Sequence, residues 1–217
     1  MKYKSFKLFM FSSLFVFAVT ASISFAAEKG NPMVTIKAGK FKSGEKGKSV
    51  KVKAFKIDKY EVSFAQYAKI DNTMEVPEGK GNYPVTEVSY EDADKYCKAI
   101  GKRLPTALEF EKATRGTDGR KYAWGNDFDA ELGNTDETGL NSTIEIDANK
   151  AGASPYGVYN MTGNVSEWVN DWESKDKKYR ILMGCSYFDT QDKCLVYKHG
   201  KSIPDDIHPF NGFRCAK

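Results

Sequence analysis

The stretch Tyr156-Gly-Val-Tyr-Asn-Met-Thr-Gly-Asn-Val-Ser-Glu-Trp-Val-Asn-Asp-Trp172 constrains this chain more than any other. It is dense in Gly, Asn and aromatic residues and holds two of the three tryptophans. Gly157 and Gly163 open backbone shapes that other residues resist. Asn160, Asn164, Glu167, Asn170 and Asp171 crowd oxygen atoms together, a mixture that suits a hard cation held by side-chain and backbone oxygens. On composition alone, a tight turn in a β core with two buried tryptophans is the stronger reading.

The N-terminus is basic through Lys2, Lys4 and Lys7, apolar from Leu8 to about Phe25, and ends in Ala26-Ala27. That order predicts a secretory signal peptide over residues 1–26, of bacterial type, and a periplasmic or secreted product. The run is short for a membrane anchor and interrupted by Ser and Thr. No Cys follows it to take a lipid, and no later segment is apolar enough to span a bilayer. Removing the leader takes three lysines and no acid, so the formal charge falls from +4 to +1. A nucleic-acid footprint is not supported. Lys40 to Lys56 holds seven lysines and one Glu, but alternates like a strand with a solvated face. Residues 27–32 read as a short tail and 33–217 as one domain.

Cys97, Cys185, Cys194 and Cys215 are an even set in an exported chain, which favours disulfides over free thiols. Spacing alone does not choose among the three pairings. Zinc is disfavoured, because there is no Cys-x-x-Cys and the only histidines are His199 and His208. Strands are expected over 33–36, 40–42 and 49–62. Ser63 with Gln66, Ser89 with Asp92 and Thr106 with Glu109 each cap a helix. The first is expected to run from Phe64 to about Ile70. Leu108, Phe110 and Ala113 supply the third with its apolar contacts. Residues 117–154 read as loop, a length that is normally functional or held by something extra such as an ion. Further strands are expected over 179–183, 194–197 and 212–216. Arg103 and Arg214 are expected to be buried ion-pair partners.

The order of these blocks resembles the formylglycine-generating enzyme, or sulfatase-modifying factor, family. The blocks are Met33-Val-Thr-Ile-Lys-Ala-Gly-Lys-Phe41, Phe55-Lys-Ile-Asp-Lys-Tyr-Glu-Val62, Pro84-Val-Thr-Glu-Val-Ser-Tyr-Glu-Asp-Ala93, Gly101-Lys-Arg-Leu-Pro-Thr-Ala-Leu-Glu-Phe-Glu111, Tyr122-Ala-Trp-Gly-Asn126, Gly157 to Trp168 and Gly212-Phe-Arg214. The resemblance spans residues 33–217. It implies a compact α+β domain of the C-type-lectin type, poor in regular structure and cemented by calcium. Its calcium positions fall on the side chains of Asn160 and Glu167 and the carbonyls of Gly163 and Val165. A second calcium would begin at Asn134 and Thr135, with Asp136, Asn141 and Asp147 as unranked further ligands. The family's disulfide logic pairs Cys97 with Cys215.

The pattern departs at the catalytic turn. Oxidase members hold copper(I) between two thiolates five positions apart, after a Gly-Gly-Ser turn, and oxidise a substrate cysteine to formylglycine. Here the turn reads Gly184-Cys-Ser-Tyr187, the first catalytic position is Asp189, and only the second is kept, as Cys194. One thiolate and one carboxylate do not make a linear copper(I) site. Copper is therefore not expected, and a Cys185–Cys194 disulfide across a hairpin is. The favoured function is a non-oxidase scaffold or maturation-accessory module that binds a protein, peptide or glycan. The alternatives are a periplasmic oxidoreductase of altered chemistry, or a formylglycine-generating oxidase using Cys185 and Cys194.

Overall fold

The computed structural model describes residues 31–217. The expected leader, and the tail up to residue 30, lie outside the described residues. Four short strands open the domain: β1 (Met33–Ile36), β2 (Gly39–Ser43), β3 (Lys48–Val52) and β4 (Phe55–Asp58). β1 pairs antiparallel with β4, and β2 with β3. Alternation turns Ile36, Phe41, Phe55 and Ile57 inward.

Three helices follow: α1 (Phe64–Tyr67), α2 (Tyr90–Ala99) and α3 (Ala107–Arg115). Each begins at the expected cap with a complete capping box. α1 stops after one turn, short of Ile70. The amides of Ile70 and Asp71 both bond to the Tyr67 carbonyl, and the Asp71 carboxylate takes the backbone and hydroxyl of Thr73. Those local bonds compete with helix continuation. Leu108 is exposed rather than packed.

The remaining strands are β5 (Ser166–Trp172), β6 (Arg180–Met183), β7 (Gly200–Ser202) and β8 (Asn211–Gly212), in the order β7-β6-β5-β8 with β5 and β8 parallel. The expected strand over 194–197 is absent. The amides of Lys193, Cys194 and Lys198 close local turns onto Thr190, Gln191 and Leu195, so they cannot join a ladder, and Gly200–Ser202 pairs with β6 instead. The last strand is likewise shorter than 212–216, with Ala216 reaching Ile57 and Arg103 only as isolated bridges. Among the described residues, 117–154 is loop apart from one 3-10 turn at Asp136–Thr138.

β5 divides the core, because successive side chains leave a strand on opposite faces. Trp168 joins Tyr67, Tyr96, Leu104 and Phe213 on one side. Val169 joins Ile57, Phe110, Met161 and Met183 on the other. Trp168 is fully buried and donates its Nε1 to the Val88 carbonyl at 3.0 Å. Trp172 is only half-buried. Cys97 of α2 and Cys215 form a disulfide that closes the first of these cores, 118 residues apart in sequence. Among the described residues no helix is long and apolar enough to cross a membrane.

Candidate functional site

The turn after β6 carries Cys185, Asp189 and Cys194, the candidate positions named from the sequence. Cys185 sits at φ 57°, in the left-handed region that glycine enters freely and other residues enter at a cost. It is disulfide-bonded to Cys194 with Cα atoms 5.1 Å apart, and no described cysteine is free. The bond spans a run of turns rather than the expected hairpin. Asp189 accepts hydrogen bonds at Oδ2 from the Ser186 amide at 3.0 Å and the Ser186 hydroxyl at 2.8 Å. Its Oδ1 lies 3.7 Å from Lys193 Nζ, and its carbonyl receives the Asp136 amide. The carboxylate therefore acts as a brace for the turn. Cys185, Asp189, Lys193, Lys198, His199 and Ser166 line a cavity of about 140 Å³. Cys194 is buried, whereas His199 is exposed.

A second, fully buried polar cluster lies under the organising stretch. Asn160 and Asn164 both take positive φ, and their amide nitrogens donate to the two oxygens of Glu61 at 3.1 and 2.8 Å. They also donate to the carbonyls of Ile146 and Ile144, tying the long loop to the core. Gly163 is required between them. Its φ is +92°, and a Cβ there would lie 2.5 Å from the Asn134 carbonyl oxygen. Arg214, fully buried, donates Nε and Nη2 to Glu167 at 2.7 and 2.6 Å and Nη2 to the Tyr159 carbonyl at 2.9 Å. Asp58 pairs with Lys102. Arg103, by contrast, pairs with Glu109 while its own side chain stays 39% exposed, so it is not the buried partner expected.

Three buried carboxylates, Asp58, Glu61 and Glu167, thus face two cations, Arg214 and Lys102, leaving one negative charge in excess whenever Glu61 is ionised. Burial pushes the Glu61 carboxyl up to about 7 against the pull of Arg214, with the Glu167 charge adding to the rise. Burial likewise raises Glu167, opposed by Arg214. Among the described residues, the carbonyls of Gly163 and Val165 accept no hydrogen bond. A hard cation fits this donor set: surplus negative charge, two uncommitted carbonyls and a carboxylate, with Glu167 shared with Arg214. Among the described residues no group of three or more His, Cys, Asp or Glu converges as a metal cage, so carbonyl and carboxamide oxygens would carry the coordination. Asn134 and Thr135 are buried beside Gly163. The Thr135 carbonyl receives Thr138, and the Asn134 carbonyl receives the Asn164 amide. Asp136, Asn141 and Asp147 are exposed.

The family profile described as the sulfatase-modifying factor enzyme 1-like domain matches residues 20–217. The chain belongs to this family. It is 35% identical over 153 residues to a Bos taurus protein named inactive C-alpha-formylglycine-generating enzyme 2, covering 63% of this chain and 51% of that one. It is 33% identical over 168 residues to the Mus musculus formylglycine-generating enzyme, covering 63% and 45%. The chain thus spans about half the length of the curated relatives it matches. Among solved structures, Treponema denticola variable protein 1 superposes with a TM-score of 0.76 at 21% identity, covering 85% of this chain and 94% of that one. PvdO from Pseudomonas aeruginosa gives 0.73 at 21%, covering 85% and 93%. These two likenesses establish the fold.

Within this sulfatase-modifying-factor domain, the structure brings Asn160, Gly163 and Glu167 into one buried region and Cys185, Asp189 and Cys194 into one turn. Sequence reasoning missed Glu61, the acceptor for both asparagines. Its one signal was a charged residue at the apolar end of the 49–62 run. It also missed Ser186, which explains Asp189 as a turn brace. A Ser followed three positions later by Asp is the cue, because a side-chain carboxylate reaches back to an amide at that spacing.

Proposed function

We propose that this chain is an exported member of the family without copper oxidase chemistry. It works as a calcium-stabilised binding or maturation-accessory module, presenting loop 117–154 and the loops on either side of β7 (186–199 and 203–210) to a protein, peptide or glycan. One observation carries the reading. At the catalytic turn both cysteines are consumed in a disulfide, and the Asp189 carboxylate is spent on Ser186. A soft two-thiolate grip on copper(I) has no donors left there. A relative whose name marks it as inactive is consistent with this. Asn160 and Glu167 side chains and the Gly163 and Val165 carbonyls would hold the calcium, which supplies a hard positive charge that cross-links loop to core. The two disulfides fit an oxidising compartment.

The test is copper(I) titration of the protein with both disulfides intact, together with an aldehyde assay on a peptide containing Cys-x-Pro-x-Arg. We expect no stoichiometric copper and no aldehyde. Tight one-to-one copper binding, or aldehyde formation, overturns the reading. A second reading is favoured by one feature: Cys185 is half-buried and lines a cavity with Lys193 and Lys198. In it the disulfide accepts two electrons from a substrate dithiol, which becomes a disulfide as Cys185 and Cys194 become thiols. Alkylation under mild reductant separates the two, since a structural bond stays unlabelled.

A further inference from the structure

Residues 37–56 carry eight lysines and one acid, Glu45, although the chain from residue 27 onward has a formal charge of only +1. All eight side chains are exposed. Strand pairing sets Lys40 directly opposite Lys51, with Lys42 beside them on the same outward face. Like charges directly opposed across a sheet destabilise it. None of the eight ammonium groups has an ion-pair, hydrogen-bond or ring partner among the described residues. A solvated face needs alternation, not an unrelieved array of one sign.

The array continues onto the neighbouring sheet. Lys56 and Lys217 pair through reciprocal backbone bonds of 2.9 and 2.8 Å, so their ammonium groups also belong to adjoining residues. These two lysines line an open cleft of about 680 Å³ with Met33, Thr35, Ala54 and Phe55. Cations therefore border an apolar strip.

We propose that the β2–β3 face and the adjoining cleft form a docking surface for an anionic phospholipid bilayer. The lysines would meet headgroup phosphates, and the half-buried Met33 and exposed Ala54 the first carbons below them. A soluble polyanion satisfies the lysines but offers nothing to the apolar strip. Juxtamembrane lysines gain from the negative surface potential of such bilayers, and the gain falls within a Debye length. The surface shares no residue with the Cys185–Cys194 turn, so its failure and the failure of the non-oxidase reading are separate results.

The experiment is co-sedimentation of the protein, purified as the cell processes it, with vesicles. One set contains phosphatidylglycerol and phosphatidylcholine at about one to three, the other phosphatidylcholine alone. We expect binding to the first set only, released by about 0.5 M salt. Combining Lys40→Gln, Lys42→Gln and Lys51→Gln should weaken binding about a hundred-fold, at roughly five-fold per lysine. The same three positions as Arg should retain it, and a thermal melt of each variant confirms folding. Equal binding to neutral vesicles overturns the proposal, as does unchanged binding by the Gln variant. So does a sulfated polysaccharide that displaces the protein from vesicles at matched charge, since that assigns the lysines to a soluble polyanion.

Discussion

The two disulfides of this domain do opposite work. Cys97–Cys215 is fully buried, ties α2 to the end of the chain and closes a span of 118 residues. Cys185–Cys194 spans nine residues, borders a solvent-open cavity, and touches one turn. Loop-closure entropy grows with the span, so the first holds the fold, while the second mainly decides what chemistry the turn can perform. The difference teaches where the family's framework and its reactivity part company. The framework sits in the buried seam among β5, α2 and the last residues. The Cys185–Cys194 turn lies outside that seam.

The sharpest way to break this comparison is to remove the long-span bond. Replacing Cys97 and Cys215 together by Ala should cost about 5 kcal/mol in the chain-entropy treatment and lower the melting temperature by well over ten degrees. Calorimetry or denaturant melts give the number. A loss no larger than that of the short-span bond would mean the seam is held by packing alone. Next in size is Arg214→Met. It strands Glu167 and Glu61 in the core without their shared cation. Breaking a buried pair from one side costs about 3–5 kcal/mol, to be read in the same melts.

Much of the seam was legible in the chain. Three capping boxes stood in the order Ser63/Gln66, Ser89/Asp92 and Thr106/Glu109, and each formed, because a cap is a local bond between residues three apart. The Cys97–Cys215 pairing came from family likeness, not from spacing. What escaped was tertiary. Glu61 meets Asn160 and Asn164 across about a hundred residues, a contact no periodicity announces. Leu108 looked like a core residue by type, yet lies exposed. The supposed strand at 194–197 was a β-rich run whose Cys194 amide closes a turn onto Gln191 and whose Val196 amide goes to the Lys121 carbonyl of the long loop.

A third effect separates the buried cluster from the surface turn by pH. Glu61 has its carboxyl raised from the usual range to about 7 by burial. The folded state therefore holds a proton between about pH 4.5 and 7 that the unfolded chain releases. Its contribution to stability is present below the unfolded value and lost as pH rises through the folded one. In chelator, the protein should be more stable near pH 5 than near pH 8, by about 3 kcal/mol at most. Glu61→Gln should flatten that slope, measured as melting temperature against pH. If calcium binds as proposed, adding it at pH 8 should restore stability. Calcium that stabilises equally at both pH values would place its site elsewhere.

The smallest effect tests the surface turn itself. Asp189→Asn keeps the size of the side chain but removes its charge, leaving a weaker acceptor for the Ser186 amide and hydroxyl. Hydrogen bonds to a charged acceptor exceed neutral ones by about 1 kcal/mol, so the melt should shift by only a few degrees. The informative readout is thiol trapping. With its brace weakened, the turn should open more often, and Cys185–Cys194 should be reduced faster by the same mild reductant, while Cys97–Cys215 is reduced no faster. Equal acceleration at both bonds would show that the turn and the seam unfold as one unit. Acceleration at the short-span bond alone would confirm that the turn moves independently of the framework, as the proposed loss of copper chemistry at an intact fold requires.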